Sequence, residues 1–173
     1  MSRINQSLSM RLFIFPVIAW MIFSCDDGRL YETNHEFVKR NWVVTEIPTF
    51  EFVIPDSTSE YNLYFNVRNS LDYPYARIFV TYQLSDSTGA EISKKLVGNN
   101  LFDQKTGKPG GESGLGDVYD HQFSLLTQFR FKSAGKYSIR LSQFMRQDTL
   151  PGVLAVGIRL EKYTPDSQGS SKK

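Results

Sequence analysis

The chain has 173 residues, 40% of them hydrophobic, a size that suits one globular domain with a modest core and excludes two large ones. Its 20 basic and 18 acidic side chains give a formal charge of +2, and loss of Arg3 and Arg11 with the leader described next leaves 18 against 18. No nucleic-acid partner is expected from that balance, because such proteins concentrate basic residues on one face.

Residues 1–24 read as a signal peptide: Arg3 and Arg11 precede an apolar run at residues 12–23, LFIFPVIAWMIF. As a helix, twelve residues would cover only ~18 Å of a hydrocarbon core roughly 30 Å thick. Pro16 weakens a permanent span further. The run ends in Ile22, Phe23, Ser24 and Cys25, which resembles a lipobox, although Phe23 is bulkier than usual there. Cys25 is the only cysteine, so an internal disulfide is excluded, and lipidation of Cys25 explains its position better than a free thiol. Acyl chains such as palmitate on that residue would make membrane attachment effectively permanent. The chain is therefore expected in the cell envelope, held by lipid, with the outer membrane favoured.

Residues 26–40 (DDGRLYETNHEFVKR) show no apolar alternation and read as a spacer able to reach ~50 Å, with room for a short helix over 36–41. From there the hydrophobic period is two. Phe50, Phe52 and Ile54 share one face, as do Leu63, Phe65 and Val67, and then Ile78, Val80, Tyr82 and Leu84. Pro55-Asp56-Ser57 and Asp86-Ser87-Thr88-Gly89 mark turns, the second leading into a strand over 92–97. Residues 99–119 carry five glycines and support strands poorly. Residues 123–131 are ambiguous, because Leu126 interrupts a period of two. Gly135 and Tyr137 open another strand, and Leu154, Val156, Ile158 and Leu160 form the last. Aromatic residues, 14% of the chain, add to this strand bias. The expectation is an all-β, antiparallel β-sandwich of seven to eight strands, immunoglobulin-like or jelly-roll-like, over residues 42–162. A closed barrel is the rival. Residues 163–173 read as a disordered tail.

Nothing in this inventory argues for catalysis or a cofactor. His35 lies in the spacer, and His121 beside Asp120 reads as a loop hydrogen-bonder rather than a base. Histidine and cysteine spacing fits no metal site; Asp103, Glu112, Asp117 and Asp120 leave calcium open without forming a ligand pattern. Connections longer than about 12–15 residues are uncommon unless functional or disordered, so 99–119 is the first candidate for partner binding, through Phe102, Asp103, Lys108, Asp117 and Tyr119. The second is the loop 69–75, where Tyr73 and Tyr75 flank Pro74 and either form a stiff contact platform or cap the core. The third is 143–152, a polar link holding Phe144 and Met145 and closing in a Leu150-Pro151-Gly152 turn.

Four stretches, YNLYFNVRNSLDYPYARIFVT (61–81), NLFDQKTGKP (100–109), GLGDVYDHQF (114–123) and MRQDTLPGVLAVGI (145–158), together resemble the GldH gliding-motility lipoprotein family of Bacteroidetes. The resemblance covers nearly the whole mature chain, lipobox cysteine included. It implies a non-enzymatic accessory role in gliding motility or in the associated type IX secretion machinery, with envelope, motility or secretion proteins as partners and no catalytic residue to carry over. The alternative is a carbohydrate-binding envelope lipoprotein using Tyr73 and Tyr75.

Overall fold

The computed structural model describes residues 28–165, so the leader, Cys25 and most of the tail lie outside the described residues. It contains β1 (Arg29–Glu36), β2 (Asn41–Val43), β3 (Thr49–Ile54), β4 (Tyr61–Ser70), β5 (Arg77–Asp86), β6 (Glu91–Asn100), β7 (Glu112–Ser113), β8 (Val118–Phe129), β9 (Gly135–Gln143), β10 (Thr149–Pro151) and β11 (Val153–Lys162). A five-stranded sheet runs β1-β11-β4-β8-β7, a four-stranded sheet runs β3-β9-β5-β6, and β2 pairs with β10. Every pairing is antiparallel.

The alternating residues build this all-β sandwich as expected. Phe65, Ile158, Val80, Leu84 and Ile139 are fully buried, and one continuous core takes residues from both sheets. Rings cross between the layers: Tyr31 of β1 lies 6.2 Å from Phe52 of β3, and Phe131 sits 5.7 Å from Tyr61 and 4.7 Å from Tyr137. Burying a Phe or Leu fully gains about 1.5–3 kcal/mol, so this aromatic core outweighs the scattered ion pairs around it, each worth ~0–1 kcal/mol.

Three sequence expectations need correction. The supposed spacer holds β1, which pairs along β11 from Glu161 to Ala155. Its inward residues are Tyr31, Thr33 and His35, so the strand alternates without an apolar signature. Residues 36–41 form no helix; after β1 the chain turns through Arg40, at φ 54°, into β2, where Trp42 is fully buried and lies 5.5 Å from Phe37. Among the described residues the strands number eleven rather than seven or eight, the surplus being β1 and the short β2, β7 and β10. In β8 the ambiguity at 123–131 has a structural cause: the register against β4 shifts on both sides of Leu63, so Leu125 and Leu126 fall out of simple alternation.

The two ends of the sandwich are built differently. Lys162 pairs with Tyr61, Tyr61 with Phe129, Ile54 with Gly135 and Asp86 with Tyr137, which gathers residue 28 and the turns 55–60, 86–90 and 130–134 at one end. The connections 37–40, 71–76, 101–117 and 144–148, of which 101–117 is much the longest, gather at the other, about 30 Å away along ten-residue strands.

Candidate interaction surface

At the loop end, backbone hydrogen bonds tie the connections to each other. Gly152 N–H donates to Arg40 O (2.9 Å), Ser70 N–H to Gly152 O (2.8 Å), Leu71 N–H to Asp117 O (3.1 Å) and Leu101 N–H to Ala76 O (2.9 Å). Gly152 has φ +76°, and a Cβ there would lie 2.4 Å from Tyr73 N, so only glycine lets these segments close.

This knot decides where the candidate residues go. Tyr73 is 3% exposed, its hydroxyl donates to Arg77 O at 3.0 Å, and its ring stacks on Phe102 at 6.5 Å. Burial pushes the Tyr73 hydroxyl above the ordinary tyrosine range, with Tyr75 contributing less. Phe102 is itself buried, so Tyr73 and Phe102 cap the core rather than form a platform. Tyr75, edge-on to Tyr73 at 5.6 Å, is partly exposed.

Asp103 is exposed but occupied. Its carboxylate accepts from Lys105 N–H, Thr106 N–H and Thr106 Oγ1, led by the Thr106 backbone, which holds it below the ordinary carboxylate range and shapes the 103–108 turn. Lys108 projects from that turn into solvent. Asp117 faces Arg40 at 3.7 Å, and Tyr119 pairs in register with Asn69 and Ser113. Asp103, Asp117 and Asp120 thus have separate partners, and among the described residues no acidic or histidine side chains group to hold a metal ion.

His121 is buried on the inner side of β8, opposite Val67 and 5.8 Å from the Phe123 ring. Gly111, at φ +73°, passes so close that a Cβ would lie 2.7 Å from His121 Nδ1. Desolvation lowers the His121 pKa, opposed by the Asp120 charge, and its Nε2 has no hydrogen-bond partner among the described residues. This is a core histidine.

Among the described residues, concavities lie on the outer faces of both large sheets. One, about 480 Å³, crosses the five-stranded sheet over Asn34, Asn66, Arg68, Asp120 and Gln122. Its side chains satisfy one another: Gln122 donates to Asn66 Oδ1 and Asn66 to Glu32 Oε1, both at 3.2 Å, while Arg68 forks onto Asp120 at 2.8 and 3.2 Å.

The other, about 500 Å³, lies beside edge strand β6 and is lined by Tyr75, Phe79, Leu96, Phe144, Met145, Arg146 and Gln147. Phe144 is 64% and Leu96 46% exposed. Phe144 N–H donates to Phe79 O at 2.8 Å and Phe79 N–H to Met145 Sδ at 3.4 Å, so the groove is fixed to the sheet. Arg77 lies over Phe79, 5.8 Å from the ring centre, and Lys94 stands exposed two residues before Leu96. Cations therefore border this apolar surface, and no carboxylate lines it. The sequence marked Tyr75 and the Phe144-Met145 pair but missed Phe79 and Leu96, which join them only through the β5–β6 pairing, where Thr81 faces Leu96 and Phe79 faces Gly98.

Comparison with known proteins assigns the family. Residues 29–160 match the family described as GldH lipoprotein. The chain is 32% identical over 171 residues to "Gliding motility lipoprotein GldH homolog" of Christiangramia forsetii, covering 91% of this chain and 98% of that protein. It is 25% identical over 159 residues to "Gliding motility lipoprotein GldH" of Flavobacterium johnsoniae, covering 86% and 94%. Among solved structures, the infectious bursal disease virus VP2 subviral particle aligns at TM-score 0.42 and 11% identity, over 85% of this chain and 36% of the viral one. With its strands matched almost end to end, the chain belongs to the GldH lipoprotein family.

Proposed function

We propose that this protein is a non-enzymatic accessory of gliding motility, or of the type IX secretion linked to it, held by lipid on Cys25 in the outer membrane and docking onto another envelope protein. The observation that carries the reading is the groove around Phe144 and Leu96: a rigid apolar surface in water, bordered by Arg77, Lys94 and Arg146. Covering an exposed Phe gains up to about 1.5–3 kcal/mol, more than a surface ion pair supplies, and the cations then select for position. The occupant that fits is an apolar side chain flanked by carboxylates. The printed names of the relatives support the motility setting. The carbohydrate reading loses its stacking platform, since the Tyr73 ring is turned into the core.

The test is complementation of a deletion strain. Wild type is expected to restore gliding or surface delivery of secreted adhesins, and Phe144→Glu, present at normal level and lipidated, to fail. Full rescue by Phe144→Glu together with Leu96→Glu would contradict the reading.

A further inference from the structure

The described fold begins three residues after Cys25 and is fixed from its first residue. Lys162 N–H donates to Gly28 O at 2.8 Å, and β1 starts at Arg29. Three peptide steps reach at most about 11 Å, far short of the spacer expected from sequence. A cysteine embedded in the lipid headgroups would therefore keep one corner of the sandwich within that distance of them. The corner belongs to the turn end.

That end carries lysines for an anionic lipid surface, set against exposed Glu91 and, in the sequence between Cys25 and the fold, Asp26 and Asp27. Its turn acids are engaged by their own turns: Asp56 accepts from Ser59 Oγ, Thr58 Oγ1 and Thr58 N–H, and Asp86 from Thr88 and Ala90. Glu60 pairs with Arg130. Lys132 and Lys162 are exposed there, and their charges reach Asp86 and Asp56 respectively only as minor influences. The flank sharing the corner is less suitable: β1 turns Glu32 outward in ion pairs with Arg29 and Arg159, and also Glu36, which laying the flank down would press onto phosphates.

We infer that the sandwich stands on the lipid headgroups by its turn end, with Lys132 and Lys162 toward the phosphates, and holds the loop end about 30 Å above them. This rests on the lipidation of Cys25 proposed above. It makes the membrane itself a binding partner of the folded domain and leaves the connections 71–76, 101–117 and 144–148 free for proteins.

The test uses the full lipidated protein in vesicles of phosphatidylethanolamine and phosphatidylglycerol carrying a headgroup spin label. An environment-sensitive fluorophore is placed in turn on Ser87→Cys, Ala134→Cys, Glu36→Cys and Leu115→Cys. Loss of most of the emission is expected at positions 87 and 134, with none at 115 and little at 36. Adding Lys132→Glu and Lys162→Glu is expected to weaken quenching at 87 and 134; unchanged quenching overturns the assignment of those lysines. Protein that floats with the vesicles yet quenches at 36 or 115 overturns the orientation alone. Protein that carries no acyl chain and fails to float overturns the lipidation and the orientation with it.

Discussion

The two ends of this sandwich solve chain reversal in different ways. At the turn end the turns 55–60 and 86–90 are shaped by their own aspartates, Asp56 capping the residues just after it and Asp86 doing the same, while Glu60 also meets Tyr163 and Arg130. At the loop end, local bonds are joined by closures between distant segments: Arg40 on Gly152, Ala76 on Leu101, Leu71 on Asp117. Local closure needs only neighbouring residues, whereas the loop end forms once four separate segments have come together.

The comparison breaks most visibly at Tyr73. Tyr73→Ala removes a buried ring shared with Phe102 and is expected to cost about 4 kcal/mol in urea denaturation. A cost below about 1 kcal/mol, typical of exposed side chains, would mean the ring is a surface feature after all. Gly152→Ala follows at about 3 kcal/mol, from the positive φ and the close approach to Tyr73 N.

This contrast also explains what could be read in advance. The strands β3, β4, β5, β9 and β11 were legible because their inward residues are apolar at a period of two. The β3–β4 and β5–β6 turns were legible because the aspartates that cap them sit within the turns. β1 was not, because Tyr31, Thr33 and His35 do not read as a hydrophobic face and the strand is held by β11, more than a hundred residues away in sequence. The tyrosine loop was located but its orientation was not, since burial of Tyr73 depends on Phe102 and Gly152 meeting it. Leu96 lay inside a strand already recognised, yet its membership of the groove depends on sheet pairing and on where Phe144 folds back.

Acid separates the ends more finely. His121 prefers its neutral form in the fold because burial disfavours the charge, so its contribution is present above the unfolded value of 6.5 and is lost as pH falls below it. Asp56, held at about 2 chiefly by Ser59 and then Thr58, contributes above its unfolded value of 3.8 and loses that contribution as pH falls toward 2. Urea denaturation from pH 7.5 downward is therefore expected to show a first decline below pH 6.5 that His121→Phe removes, and a second below pH 4 that Asp56→Asn flattens. A first decline that persists in His121→Phe would assign it to another group.

The smallest effect on stability is expected at the groove. Phe144→Ala removes a largely exposed ring and should change stability by no more than about 0.5 kcal/mol, leaving any loss of function to be read as loss of contact.

The most direct measurement of docking is site-specific photocrosslinking in living cells, with a photoreactive side chain at position 144 and, as reference, at exposed Val53 near the turn end of the same sheet. The groove assignment predicts one discrete adduct from position 144, weakened by Arg146→Glu and absent from position 53. Indistinguishable adduct patterns from the two positions would contradict it.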